Sequence, residues 1–144
     1  MKETLAALVA ALGLAVTPAP AMERALEYGA PFGQVMLYTP VAEPRSVVLF
    51  ISGDDGWNLG VLDMARHLAG QGAVVAGIDA RRYLAAIAGT RGRCRYLAGD
   101  LEALGHRVQR ELRLETYRVP LVYGFSSGAS PTRLELRANR PLTA

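Results

Sequence analysis

Three short runs of this chain are apolar almost from end to end: SVVLFISG (46–53), AVVAGID (73–79) and VPLVYGF (119–125). A strand with one wet face alternates apolar and polar side chains. An unbroken, β-branched run instead suits a strand covered on both faces, as in a parallel sheet. The segments between these runs read as helices. In NLGVLDMARHLAGQG (58–72), Leu59, Leu62, Ala65 and Leu68 or Ala69 recur at steps of three and four, and Gly70 and Gly72 mark the end. RRYLAAIAG (81–89) is a shorter helical piece closed by Gly89. Leu97, Leu101, Leu104, Val108 and Leu112 have the most regular helical spacing in the chain. Upstream, GQVMLYTP (33–40) alternates around Val35 and Leu37 and stops at a proline, so it reads as an early strand, and AEPR (42–45) as a turn. The order strand, strand, helix, strand, helix, strand predicts an α/β fold with a mostly parallel sheet and flanking helices.

The chain has 144 residues, enough for one domain with a modest core. With 51% hydrophobic and 20% charged residues it has the composition of a globular protein, which excludes a disordered chain. The net charge of +3 is small and scattered. The only dense basic run, Arg91, Arg93 and Arg95, has no interleaved aromatics and no recognised binding motif. It reads as a solvated loop, and no nucleic-acid partner is expected. Cys94 is the single cysteine, so no internal disulfide forms, and without a histidine placed beside it the thiol reads as inert. Neither G-x-G-x-x-G nor a P-loop occurs, so no nucleotide cofactor is expected, and no other cofactor is implied.

Residues 1–21 read as a secretory signal peptide. Lys2 precedes an apolar run from Leu5 to Val16, and Ala19-x-Ala21 fits the small-residue cleavage rule. A buried helix is the competing reading, but Pro18 and Pro20 would break it. The run is shorter than the ~20 apolar residues that span a bilayer. Cleavage would start the mature domain, residues 22–144, near Met22 and place it in the periplasm.

VYGFSSGAS (122–130) holds the pattern G-x-S-x-G as Gly124, Phe125, Ser126, Ser127 and Gly128. It follows an apolar strand directly, and small residues flank the serine. A sharp strand-to-helix turn has this form, with the serine hydroxyl presented for nucleophilic attack. Ser126 is then the candidate nucleophile. The N–H of Ser127, at a helix start, is the candidate oxyanion donor. The plainer reading is a Gly/Ser turn with no chemistry. A second oxyanion donor would come from the loop after an earlier strand, SGDDGWN (52–58), where Gly53 and Gly56 allow tight folding. Asp54 and Asp55 are adjacent and point apart, so no metal site is expected, and Asp55 or Asn58 suits the cap of the following helix. A serine nucleophile needs a base. The two histidines, His67 and His106, both precede Ser126; His106 lies opposite Leu104 and Val108 on its helix, and both read as surface or boundary residues.

LFISGDDGWNLGVLDMARHLAGQGAVVAGIDARRYL, CRYLAGDLEALGHRVQ and VPLVYGFSSGA resemble successive blocks of the bacterial virulence protein VirJ/AcvB family over roughly residues 32 to 129. The resemblance implies an α/β-hydrolase fold, a nucleophile at Ser126, an oxyanion loop at Asp54, and binding residues at Gly53, Gly56 and Trp57. It also implies secretion to the periplasm and an association with type IV secretion. The reaction implied is ester cleavage of aminoacylated phosphatidylglycerol, a phospholipid substrate at the inner-membrane surface. The family loop reads Gly-Asp-Gly-Gly-Trp, so Asp55 stands in place of a glycine. The resemblance stops near Ala129, before the family's acid and histidine, and residues 130–144 have an atypical pattern. The expectation is a truncated or frame-shifted, inactive hydrolase. The alternative is a non-enzymatic periplasmic interaction subunit that binds secretion-system proteins.

Overall fold

The computed structural model describes residues 21–89 and 97–129. The signal-peptide reading (except at Ala21), Arg91, Arg93, Arg95, Cys94 and the atypical tail at 130–144 lie outside the described residues. Among the described residues five strands form one sheet: β1 (Met22–Gly29), β2 (Gly33–Thr39), β3 (Ser46–Ile51), β4 (Ala73–Ile78) and β5 (Leu121–Gly124), in the order β1-β2-β4-β3-β5. The α-helices described, α1 (Leu59–Gly70), α2 (Ala80–Ala88) and α3 (Leu97–Glu111), cross over between them. The protein is an α/β domain. Its sheet is mixed: β3 runs parallel to both β4 and β5, whereas β2 is antiparallel to β1 and β4.

β3 and β4 are buried along nearly their whole length because helices cover both faces of the sheet. Alternate side chains of β3 enter two separate cores. Val48 and Phe50 join Tyr38, Val75 and the α1 residues Val61, Ala65 and Ala69. Val47, Leu49 and Ile51 join Ile78, Tyr83 of α2 and Leu101, Leu104 and Val108 of α3. Each such large side chain contributes about 2 kcal/mol through burial. The buried stripe of α1 runs through Val61, Ala65 and Ala69, with Leu62 and Leu68 at its margins. It is therefore centred on smaller residues than the leucine spacing predicts, and small side chains let the helix lie close on the sheet. Asn58, not Asp55, caps α1 through Gly60 N–H at 3.3 Å.

Two segments differ from the sequence-based expectation. β1 has no counterpart in it, because only Leu26 and Tyr28 of MERALEYG turn inward and the pattern is mostly polar and exposed. The run 119–125 is not a strand buried on both faces. β5 pairs with β3 along one side. Val122 packs towards the α3 core, while Leu121 and Tyr123, on the other face, are 61% and 44% exposed.

Burial pushes the hydroxyls of Tyr28 and Tyr38 above their ordinary value of 10.0. A raised folded value means that the unfolded chain releases these protons first. The stability they contribute is therefore full below pH 10 and is lost as pH rises through the folded values. Chemical denaturation at stepped alkaline pH should show the midpoint falling from about pH 10 upwards.

Candidate active site

The parallel strands end level with one another: Ile51 of β3 is in register with Ile78 of β4 and with Gly124 of β5. Beyond that line the ladders extend by one bond each, Ser52 N–H to Ile78 O at 3.0 Å and Phe125 N–H to Ile51 O at 2.9 Å. The chain then reverses. Ser126 takes a left-handed backbone, φ 54°, and a short 3₁₀ turn (Ser126–Gly128) begins, closed by Gly128 N–H to Phe125 O at 2.9 Å. Serine rarely adopts this conformation, which costs about 1–2 kcal/mol for a residue with a Cβ. Such strain is held where surrounding packing enforces it. Here Gly128 lies directly against the Ser52 and Ile51 carbonyls, and Gly124 against Gly128 and Ala129. The two glycines of G-x-S-x-G are thus the points where the turn presses on β3 and on itself.

Ser126 is exposed at the crest of the sheet, and Ser127 sits in the first turn, where backbone N–H groups have no intrahelical acceptor. The 52–58 loop reaches the same place. A Cβ added to Gly53 would be 3.1 Å from Ser126 Cβ. The loop folds by a turn, Gly56 N–H to Gly53 O at 3.0 Å, with Gly56 at φ +75°. The positive φ falls on Gly56; among the described residues the left-handed non-glycine residues are Arg113 and Ser126, so Asp55 meets no backbone penalty there. Asp54 and Asp55 are exposed on the outside of the loop.

Trp57 anchors the far end of this loop. Its indole covers Gly77, meets Phe50 edge-on at 5.4 Å and donates Nε1–H to the Tyr38 hydroxyl at 3.1 Å. Part of the ring also lines a cavity of about 220 Å³ with Gln34, Met36, Gly77, Asp79 and Arg82. Two further residues hold the site without having been picked out from the sequence. Ser52 is fully buried; its Oγ accepts Ala80 N–H at 3.0 Å and donates to Gly53 O at 3.3 Å. Asp79 caps α2 and also accepts from Trp57 N–H at 3.4 Å. An acid immediately after a buried parallel strand was the available signal for Asp79; Ser52 looks like the polar end of an apolar run.

Both histidines lie away from this crest. α1 descends from the loop, and exposed His67, eight residues along it, is about 12 Å below its start. His106 stacks on Tyr117 at 4.3 Å, at the entry to β5, the opposite end of that strand from Ser126, and lies 3.9 Å from Glu102. Among the described residues no group of three or more His, Cys, Asp or Glu could hold a metal ion, and no helix is long and apolar enough to cross a membrane.

A serine on a strained turn beyond the ends of parallel strands, with a second loop against it, is the arrangement that α/β hydrolases use. The sequence profile described as bacterial virulence protein (VirJ) matches residues 45–135, more than half of the chain, and the chain belongs to that family. Among solved structures it is similar to a lipase in its open form, at 22% identity and a TM-score of 0.46, over 85% of this chain and 41% of the lipase. It is also similar to XC6422 from Xanthomonas campestris, described as an α/β serine hydrolase without a lid, at 20% identity and a TM-score of 0.45, over 87% of this chain and 59% of that one. The chain therefore spans less than two thirds of either. No curated protein matches it.

Proposed function

We propose that this chain carries the nucleophile and oxyanion part of a serine ester hydrolase that acts in the periplasm on aminoacylated phosphatidylglycerol. The observation that supports this most directly is the exposed, left-handed Ser126 held against Gly53. In the reaction, Ser126 Oγ attacks the ester carbonyl carbon and gives up its proton to solvent water. The carbonyl oxygen becomes an oxyanion held by backbone N–H groups at Ser127 and in the Gly53–Asp54 segment. The lipid alcohol departs with a proton, and water then releases the aminoacyl group from the serine. With His67 and His106 both remote, this chain gives Ser126 no imidazole base. Its residual rate is then what an oxyanion hole and substrate binding leave, roughly 10³–10⁴ above water. The leader-like residues 1–21 support the periplasmic location.

A second reading, a non-enzymatic interaction subunit linked to type IV secretion, draws on the exposed apolar face of β5.

Fluorophosphonate labelling separates the two. Slow labelling that maps to Ser126 is expected, and Ser126→Ala should lose it. Ser126→Gly should also lose it, yet melt at a higher temperature, because glycine relieves about 1–2 kcal/mol of left-handed strain and gives back only part of that as unfolded-state entropy. An unlabelled wild-type protein, or a label that survives Ser126→Ala, would defeat the hydrolase reading.

A further inference from the structure

Asp79 uses its carboxylate in two directions. Oδ1 accepts the N–H groups of Arg81 at 3.0 Å and Arg82 at 3.2 Å, the ordinary cap of α2. Oδ2 faces the other way. It accepts Trp57 N–H at 3.4 Å, lies 3.9 Å from Arg82 Nε, and Gly56 passes so close that a Cβ there would be 3.0 Å from it. A helix cap needs only one acceptor oxygen, and asparagine or serine would serve equally well. The second oxygen is accounted for by the loop. From Trp57 and Gly56 the chain of contacts is short: Gly56 N–H bonds Gly53 O, and Gly53 rests on Ser126. Ser52 reinforces it, tying Gly53 O to the Ala80 N–H at the start of α2.

We infer that Asp79 is a positioning residue: by binding α2 and the 53–57 loop with one carboxylate, it fixes the loop backbone against Ser126 and so sets where an oxyanion would be held. The last clause rests on Ser126 being the nucleophile; the grip on the loop does not. Charge-assisted bonds from a side chain only 20% exposed suit this role, because they hold geometry more firmly than neutral ones.

The test uses Trp57, the only tryptophan in the chain, as a reporter within the loop. Asp79→Asn keeps one oxygen for α2 but turns an NH₂ group towards Trp57 N–H. Asp79→Ser has a single oxygen that reaches α2 alone. In both variants far-UV helicity should be retained, while Trp57 emission shifts to the red and acrylamide quenches it faster. Fluorophosphonate labelling should slow on the order of tenfold, since small misplacements of an oxyanion donor are costly. In the wild type, hydrogen exchange should be slower at Trp57 N–H than at the amides of Asp54 and Asp55, a measurement that needs no variant to fold. Trp57 fluorescence unchanged in both variants, or Trp57 N–H exchanging as fast as the Asp54 and Asp55 amides, overturns the inference. If the Trp57 signal moves but the wild type takes no label, the nucleophile reading fails and the grip of Asp79 on the loop stands.

Discussion

Gly128→Ala should destabilise the domain by about 3 kcal/mol, a large share of the 5–15 kcal/mol that holds a typical domain together. The added methyl carbon would sit 2.7 Å from Ile51 O and 3.0 Å from the Ser52 carbonyl carbon, with Ser52 O nearer still. None of these atoms is free to move. Ile51 O accepts the Phe125 N–H that continues the sheet, and Gly128 N–H is itself held by Phe125 O. Relief would require lifting the turn off β3, which pulls on the Phe125 N–H to Ile51 O bond and disturbs the strained conformation of Ser126. Gly124→Ala should behave alike, because its Cβ would meet Ala129 Cα at 2.6 Å and the Gly128 backbone closer still. Gly89→Ala is the control. Its nearest atoms are 3.7 Å away and its backbone is already α-helical, so alanine should leave stability unchanged or raise it by about 0.5 kcal/mol. Urea denaturation of the three variants checks the contrast. A Gly128→Ala midpoint within error of Gly89→Ala would mean that the turn does not press on β3 as described.

What could be read from the sequence, and what could not, follows from whether the cause is local. β3 and β4 are buried on both faces, so each side chain answers the same demand and the runs SVVLFI and AVVAGI announce themselves. α3 has one wet and one dry side, and its leucines carry that period. β1 is mostly exposed and held through backbone pairing with β2, which leaves little trace in side-chain choice. β5 is as apolar as β3, yet half of it faces outwards; composition cannot say which apolar strand has a covering layer. At the crest, the spacing of Gly124, Ser126 and Gly128 was legible because one tight turn imposes it. The meeting of Gly53 with Ser126 could be expected only from topology. The double use of Asp79 could not be read at all, since a residue before a helix looks the same whether one or two elements lean on it.

Gly77→Ala should cost nearly as much as Gly128→Ala, and it should be visible in the optical signal of Trp57 before it is visible in stability. The added Cβ would lie 2.6 Å from Trp57 Cε2 and nearer to other ring atoms. Either β4 bends or the indole leaves. β4 is buried throughout and paired on both sides, Gly77 with Met36 of β2 and with Phe50 of β3, so moving it would disturb two ladders. Trp57 is attached through a loop, so it is the softer partner. Its departure removes the hydrogen bond to Tyr38, worth about 1 kcal/mol, and opens the fully buried rings of Tyr38 and Phe50 to water. The total cost should be about 2–3 kcal/mol, at the upper end for inserting one methyl group into a packed interior. The emission maximum should move to the red under native conditions, while far-UV circular dichroism keeps its wild-type shape. A stability loss of that size with no red shift would instead place the distortion in β4, and the tryptophan would then be a more rigid part of the core than the 53–57 loop that carries it.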